Sequence, residues 1–424
     1  MPACGLDFGT SNTTVGVPRG SAPDLVRLEG EEVTIPSAIF FGSNEDVRIG
    51  RAGIQAYIDG QAGRLMRSLK SVLGKPLLDE VTSLGRKRVT FREVIGLYLR
   101  EVKARAEAAI DGELTSVVHG RPVHFVDGDA EGDRKAEDAL LEIATGVGFR
   151  DVSFEYEPVA AALDYERSIT HEQVALVADI GGGTSDFSIV RIGPGRRRSQ
   201  DRKHDILAND GIRVGGTDFD RLLSLHRIMP EFGFRSPMRR AGLDVPSSYF
   251  HDLATWSSIN RLYAQKVRRE VEEIKRDAAR PDLIDRLLTV IAQERGHALA
   301  MEVERAKIDL SDRPDANVPL DWLEQGSAVR LLRSDLVTAT SIVSDRLRAT
   351  VLACVRDAGL VPDDIDVLFL TGGSTRIPHA RSAIAAAVPS ARTVEGDTFG
   401  SVGLGLTIEA ARRYGTKARP GAVA

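Results

Sequence analysis

At 424 residues the chain is longer than one compact core supports, so two or more domains are expected. Hydrophobic residues make up 42% and charged residues 28%, an ordinary globular composition. The formal net charge of −5 at pH 7 excludes the basic surface that non-specific binding to nucleic acid or anionic lipid requires.

The N-terminus, MPACGLDFGTSN, has no charged and apolar leader, so no signal peptide is expected. Leu6–Val15 (LDFGTSNTTV) recurs in altered form as Ala178–Val190 (ADIGGGTSDFSIV). Each copy is an apolar strand reaching an Asp, a glycine turn with hydroxyl residues, then a second strand, so each predicts a β-hairpin. A repeat on this scale suggests two homologous lobes facing each other. Between the copies, Ser116–Val126 predicts a strand, and Gly132–Val147 and Glu157–Arg167 predict helices. The basic run Gly195–Lys203 (GRRRSQDRK) reads as a solvated hairpin tip. Asp205–Leu207 and Arg213–Val214 lead into the turn and helix start Gly215–Asp220 (GGTDFD). From Asp252 to Leu310 the pattern is helical: Trp256, Ile259, Leu262 or Tyr263, Val267, Val271 and Ile274 recur at helical spacing. Pro281 interrupts, and Leu287, Ile291, Leu299, Val303, Ala306 and Leu310 resume the stripe. A helix capped at Ser334 runs to Gly359, followed by a buried strand Val367–Leu370, the turn Gly372–Pro378 and an alanine-rich helix. The tail Thr416–Ala424 reads as frayed. Cys4 in a strand and Cys354 on an apolar helix face lack CxxC or Cys/His spacing and read as core residues in a reducing compartment. No apolar run reaches membrane-spanning length, so a cytoplasmic protein without membrane or nucleic-acid partners is expected.

The two hairpins carry the chemistry. A triphosphate needs backbone N–H donors that approach closely, and glycine permits that approach. Gly9, Thr10, Ser11 and Asn12 in one turn, with Gly181, Gly182, Gly183 and Thr184 in the other, would offer such donors from two sides. A divalent ion on the phosphates needs carboxylates nearby, usually through water, and Asp7 and Asp179 head the two loops with Asp186 behind. Alone, either loop reads equally well as a structural hairpin; paired in similar contexts they favour a phosphate clamp. Asp7-Phe8-Gly9 matches a kinase triplet without the rest of the kinase set, and neither G-x-x-x-x-G-K-[ST] nor G-x-G-x-x-G occurs. Glu304, Lys307 and Ser311 are spaced to share one helix face, which by itself reads as an ordinary solvated ion pair.

With these residues in view, the sequence resembles the DnaK-type heat-shock chaperone ATPases of the actin/hexokinase-like superfamily, and among them the short YegD-like proteins. Seven segments carry the resemblance in the family's order: LDFGTSNTTV, SLKSVLGK, YEPVAAALDY, VADIGGGTSDFSIV, RVGGTDFDRLL, EVERAKIDLS and LFLTGGSTRIP. The resemblance implies an α/β actin-like ATPase fold with two lobes, each a five-stranded mixed sheet flanked by helices, with subdomain insertions. Lobe I would span 1–171, with an insertion at about 37–114 and the C-terminal helix 398–415; lobe II would span 172–397, with a helical insertion at about 222–334. It implies ATP/ADP and Mg as cofactors and Lys70, Glu157, Asp179, Thr184 and Asp186 as the catalytic set. Gly9, Thr10, Ser11, Asn12, Gly181, Gly182, Gly183, Gly215 and Gly216 would cradle phosphates. Glu304, Lys307 and Ser311, facing Gly372, Gly373, Ser374 and Arg376, would hold adenosine. Asp7 and Asp179 would hold the metal through water.

Three departures narrow the expectation. Ile308 stands where the family usually places an arginine against adenine, Asn12 replaces an aromatic, and the sequence lacks the family's apolar linker and client-binding sandwich. Chaperone activity of the usual kind is therefore not implied; the resemblance implies a chaperone-like ATPase that opens and closes about its nucleotide, read by a partner or client protein through lobe II. A nucleotide-dependent scaffold or filament former, and a small-molecule kinase, are the alternatives.

Overall fold

A computed structural model describes residues 3–19, 22–43, 46–84, 87–126, 128–196, 202–240, 242–395 and 400–415. The tail 416–424 and the tip of the basic run, 197–201, lie outside the described residues.

The first lobe is built from β1 (Ala3–Phe8), β2 (Asn12–Arg19), β3 (Ala22–Leu25), β4 (Thr34–Pro36), β5 (Ala38–Gly42), β6 (Val47–Ile49), α1 (Gly50–Ile58), β7 (Gly63–Arg67), β8 (Val81–Leu84), β9 (Lys87–Thr90), α2 (Phe91–Ile110), β10 (Ser116–Arg121), α3 (Ala130–Val147), β11 (Asp151–Tyr156) and α4 (Glu157–Glu166). The second comprises β12 (Gln173–Ile180), β13 (Ser185–Ile192), β14 (Ile206–Ile212), α5 (Gly216–Leu223), α6 (Ser248–Ala254), α7 (Gln265–Asp277), α8 (Pro281–Ala292), α9 (Gly296–Asp312), β15 (Asp315–Pro319), β16 (Ala328–Leu332), α10 (Arg333–Asp357), β17 (Val367–Thr371), α11 (Pro378–Ala385) and β18 (Arg392–Glu395). The final helix, α12 (Ser401–Tyr414), returns to the first sheet.

The internal echo extends from the hairpins to the whole sheets. The first sheet runs β11-β10-β1-β2-β3, and the second runs β18-β17-β12-β13-β14, read in the same direction. In both, the central strand pairs antiparallel with the next strand in sequence and parallel with a strand that follows a long insertion. The first sheet has six strands, one more than the five expected, because β2 is long enough to pair β3 along Gly16–Arg19 and β4 along Asn12–Thr14.

Alternation of side chains along the two central strands sets the layers. On β1, Cys4, Leu6 and Phe8 face a core shared with α2 and α3, while Ala3 faces a second core. On β12, Leu176, Ala178 and Ile180 face the helices of the second lobe, while Ala175 and Val177 face that same second core. This shared core is filled by α4 and α12, which pack against each other. Asp7 and Asp179 continue the inward-facing rows of their strands, so period-2 geometry alone aims both toward the space between the lobes.

Local signals explain most boundaries. Thr90 and Glu93 form a capping box at the start of α2, Asp129 caps α3 by accepting from the Glu131 and Gly132 N–H groups, and Gly148 closes α3 at a φ of 109°. Other expectations shift. The strand expected to reach Val126 stops at Arg121, because Pro122 has no N–H for the ladder. The helical run from Asp252 to Leu310 is divided into the end of α6, a 3-10 turn at Ile259–Tyr263, and α7, α8 and α9. Ser334 lies inside α10, whose first turn is closed by the Asp335 carboxylate accepting from the Leu332 N–H at 2.9 Å. In the basic run, Arg202 is not solvated: it is 4% exposed, bonds Glu166 at 2.9 Å and also pairs with Asp205.

Candidate functional site

The two glycine turns close with the same bond. Gly9 N–H donates to Asn12 O and Gly181 N–H donates to Thr184 O, each at 2.9 Å. This places Asp7 opposite Thr14, and Asp179 opposite Asp186, at equivalent positions of the two hairpins. The tips approach across the cleft: a Cβ on Gly182 would stand 2.4 Å from Ser11 Oγ.

What surrounds the second turn orients its amides. Gly216 N–H donates to Gly181 O at 2.9 Å, and Thr217 N–H donates to Gly182 O at 2.8 Å. Ser374 Oγ also donates to Gly181 O, at 3.2 Å. In a trans peptide the N–H points opposite to the C=O. With both carbonyls held by α5 and Ser374, the Gly182 and Gly183 N–H groups are therefore directed away from α5. Thr184 Oγ1 donates to Asp186 Oδ2 at 3.1 Å, so that hydroxyl is tied to a site carboxylate.

Lys70 enters from the first lobe. Ser68, at a φ of 58°, turns the chain out of β7 into a 3-10 turn, and Ser71 Oγ braces it by donating to Ser68 O at 2.7 Å. Lys70 is 8% exposed and its Nζ donates to Glu157 Oε1 at the first turn of α4. Gly120 makes room for that carboxylate, since a Cβ there would meet Glu157 Cγ at 3.3 Å. Glu157, Asp179 and Asp186 line one small cavity with Ser188, Asn209 and Thr371.

The electrostatics are lopsided. Burial, with the neighbouring Glu157 charge, pushes the Asp7 carboxyl up to about 7 against the opposing effect of Lys70. Burial, then Asp186, Glu157 and Asp7, push Asp179 to about 8. Burial opposes charge on Lys70, but Glu157 and Asp7 outweigh it and its pKa is raised. Asp7, Glu157, Asp179 and Asp186 thus crowd around a single ammonium, an excess of negative charge that a divalent cation would relieve. Among the described residues no three His, Cys, Asp or Glu side chains converge to hold a metal directly.

On the other wall, Glu304, Lys307 and Ser311 do share one face of α9. Lys307 is 7% exposed and bonds Asp220 Oδ1 at 2.8 Å and Gly216 O at 3.3 Å, so it is tied into the second lobe and is not the solvated partner of Glu304. Ser311 Oγ donates to Lys307 O at 3.3 Å. Gly216 and Ser374 meet here too: a Cβ on Gly216 would lie 2.6 Å from Ser374 Oγ. Gly372 needs its φ of 81°, and a Cβ there would stand 2.4 Å from Asp179 Oδ1. Gly373 follows in the 3-10 turn that carries Ser374, and Arg376 at the end of that turn bonds Asp312 of α9 at 3.1 Å, while Ile308, four residues before Asp312 on α9, is 52% exposed. Gly215 N–H is capped by Asp218 at 3.1 Å. Sequence reasoning missed Asp220, raised to about 6 by burial against the opposing Lys307; its signal was a carboxylate one helical turn after Gly216.

The family model described as Hsp70 protein matches residues 3–238 and 271–418. The chain belongs to the Hsp70 family. Hsp70 proteins are ATP-binding chaperone ATPases, and the paired lobes described above are their actin-like ATPase fold. The chain is similar to Chaperone protein DnaK of Thermotoga neapolitana, with 26% identity over 428 residues, covering 98% of this chain and 60% of that protein. It is similar to the same degree, over 429 residues, to Chaperone protein DnaK of Thermotoga petrophila and of Thermotoga maritima. The chain thus spans 60% of the length of these Hsp70 relatives. Among the described residues no helix is long and apolar enough to cross a membrane.

Proposed function

We propose that the chain binds ATP in the cleft between its lobes and hydrolyses it, and that lobe opening and closing follow the state of the nucleotide. The observation that carries this reading is the Lys70–Glu157 pair of the first lobe facing Asp179 and Asp186 of the second, between two glycine turns closed by the same bond. Gly9, Thr10, Ser11 and Asn12 would receive phosphate from one side, and Gly181, Gly182, Gly183 and Thr184 from the other. Asp7 and Asp179 would hold a magnesium ion through water, and that ion would neutralise charge on the β- and γ-oxygens. Lys70 would stabilise charge building on the transferred phosphoryl group. Glu157 and Asp186 would orient the attacking water and accept its proton as the bond between the γ-phosphorus and the ADP oxygen breaks. Glu304, Lys307, Ser311, Gly372, Gly373, Ser374 and Arg376 would enclose adenosine, with Asp220 fixing Lys307. Gly215 and Gly216 would let α5 approach the phosphates.

A partner or client protein reading the motion through the helical part of lobe II, and a cytoplasmic setting, belong to the same reading. Lys70→Ala is expected to bind ATP with little loss and to slow single-turnover hydrolysis about 100-fold or more. Product analysis should find free phosphate and no phosphorylated acceptor. Unchanged turnover would remove Lys70 from the role, and a phosphorylated small molecule would replace the ATPase by a kinase.

A further inference from the structure

The second glycine turn is oriented by α5 and Ser374, but the first has no following helix to orient it. Ser37 stands in that place. It lies between β4 and β5, is 1% exposed, and is 28 residues from Gly9 in sequence. β4 runs antiparallel to the start of β2 with Pro36 opposite Asn12, and this register carries Ser37 alongside the turn.

Ser37 holds two carbonyls of the turn. Its Oγ–H donates to Gly9 O at 2.6 Å, and its N–H donates to Ser11 O at 2.8 Å. A carbonyl only accepts, so the single hydroxyl hydrogen of Ser37 is spent on Gly9. Thr13 Oγ1, 3.0 Å away, must therefore donate to Ser37 Oγ. In a trans peptide the N–H points opposite to the C=O. Holding the Gly9 carbonyl thus aims the Thr10 N–H away from Ser37, and holding the Ser11 carbonyl does the same for the Asn12 N–H. The Thr10 N–H has no partner among the described residues.

The same geometry runs one step further back. Tyr98 of α2 is fully buried, and its hydroxyl donates to Pro36 O at 3.1 Å. That peptide unit also carries the Ser37 N–H, so Tyr98 on one side fixes the donor that reaches Ser11 O on the other. Thr13, Ser37 and Tyr98 are each no more than 1% exposed, and in such a dry layer successive hydrogen bonds strengthen one another. A buried serine that satisfied one carbonyl would leave the next peptide of the turn to find its own orientation. Ser37 holds both.

We propose that Ser37 is the positioning residue of the first turn, presetting the Thr10 and Asn12 amides as donors to a nucleotide's phosphate oxygens, with Tyr98 as its support on α2. This rests on the nucleotide site argued above. It concerns phosphate alone, since the residues expected to enclose adenosine all belong to the second lobe.

The test compares ADP with adenosine on the full chain, using calorimetry for ADP and ligand-observed NMR for adenosine. Ser37→Ala removes the hydroxyl that holds Gly9 O, and Tyr98→Phe removes only the supporting one. Ser37→Ala is expected to bind ADP about tenfold more weakly than the parent and to bind adenosine as the parent does. Tyr98→Phe should lose about threefold, again for ADP alone. Unchanged ADP affinity in Ser37→Ala would overturn the proposal. Equal losses for ADP and adenosine would overturn it too, because they mark a purely structural role. If Ser37→Ala does not fold, Tyr98→Phe decides by the same comparison. A parent that binds no ADP would overturn the nucleotide site and the role of Ser37 with it, an outcome distinct from a variant that binds ADP as tightly as a competent parent.

Discussion

Individual residues in this protein are strained by burial as much as by bonding. His119 on β10 is fully buried beside Phe154; its Nδ1–H donates to the neighbouring Gly120 O at 2.8 Å, and its Nε2 finds no partner among the described residues. Burial, with a smaller contribution from Lys70, lowers its pKa from 6.5 to about 4. A histidine that binds its proton less readily folded than unfolded makes stability fall as pH drops from about 6.5 to about 4, with no further loss below that window. Asp7 and Asp179 act in the opposite sense, so the histidine is isolated by difference. Relative to the parent, His119→Leu should gain on the order of 2–3 kcal/mol as pH is lowered through that window, read from thermal or urea midpoints. A difference independent of pH would sink the assignment. Asp7, Asp179, Gly9 and the Gly181–Gly183 run were legible as a pair because strand alternation and glycine turns are local signals. Asp220 was not, because only packing shows that its carboxylate turns inward to meet Lys307.

At the scale of elements, α4 and α12 decide how closely the lobes can sit. Their contact depends on Gly405, where a Cβ would stand 1.9 Å from Ala160 O. The helix backbone itself is therefore the packing surface. Gly405→Ala should push α12 off α4 and lower stability by about 1–3 kcal/mol, seen as a lower unfolding midpoint. An unchanged midpoint would mean that α12 can shift without cost. The same two helices border the buried pair of Arg202 and Glu166, whose carboxylate also accepts from the Gly193 N–H at 2.9 Å. Residue composition made that run look solvated; only the position of α4 beneath it supplies a buried counter-charge. The break at Pro281 between α7 and α8 was legible because proline is a local signal, whereas the 3-10 turn at Ile259–Tyr263 and the break before α9 were not, because the apolar stripe continues across them.

For the molecule as a whole, two copies of one sheet topology share a core and place their equivalent aspartates face to face. A ligand that binds only this closed arrangement must stabilise it. ADP with magnesium should raise the unfolding midpoint more than ADP alone, corresponding to about 2.7 kcal/mol at a ligand concentration 100 times Kd. Asp179→Asn should remove most of the magnesium increment and keep the increment from ADP alone. Equal increments with and without magnesium in the parent would take Asp179 out of metal binding.

The duplicated hairpins, their glycine turns and the Hsp70 motifs follow from the sequence alone, because strand period, glycine turns and contiguous motifs act over a few residues. The sixth strand of the first sheet, the burial of Arg202 and Lys307, and the bond from Ser37 to Gly9 were decided only by the tertiary structure. Each depends on which distant segment arrives beside it. Ser37 and Gly9 are 28 residues apart, and no local pattern records that they meet.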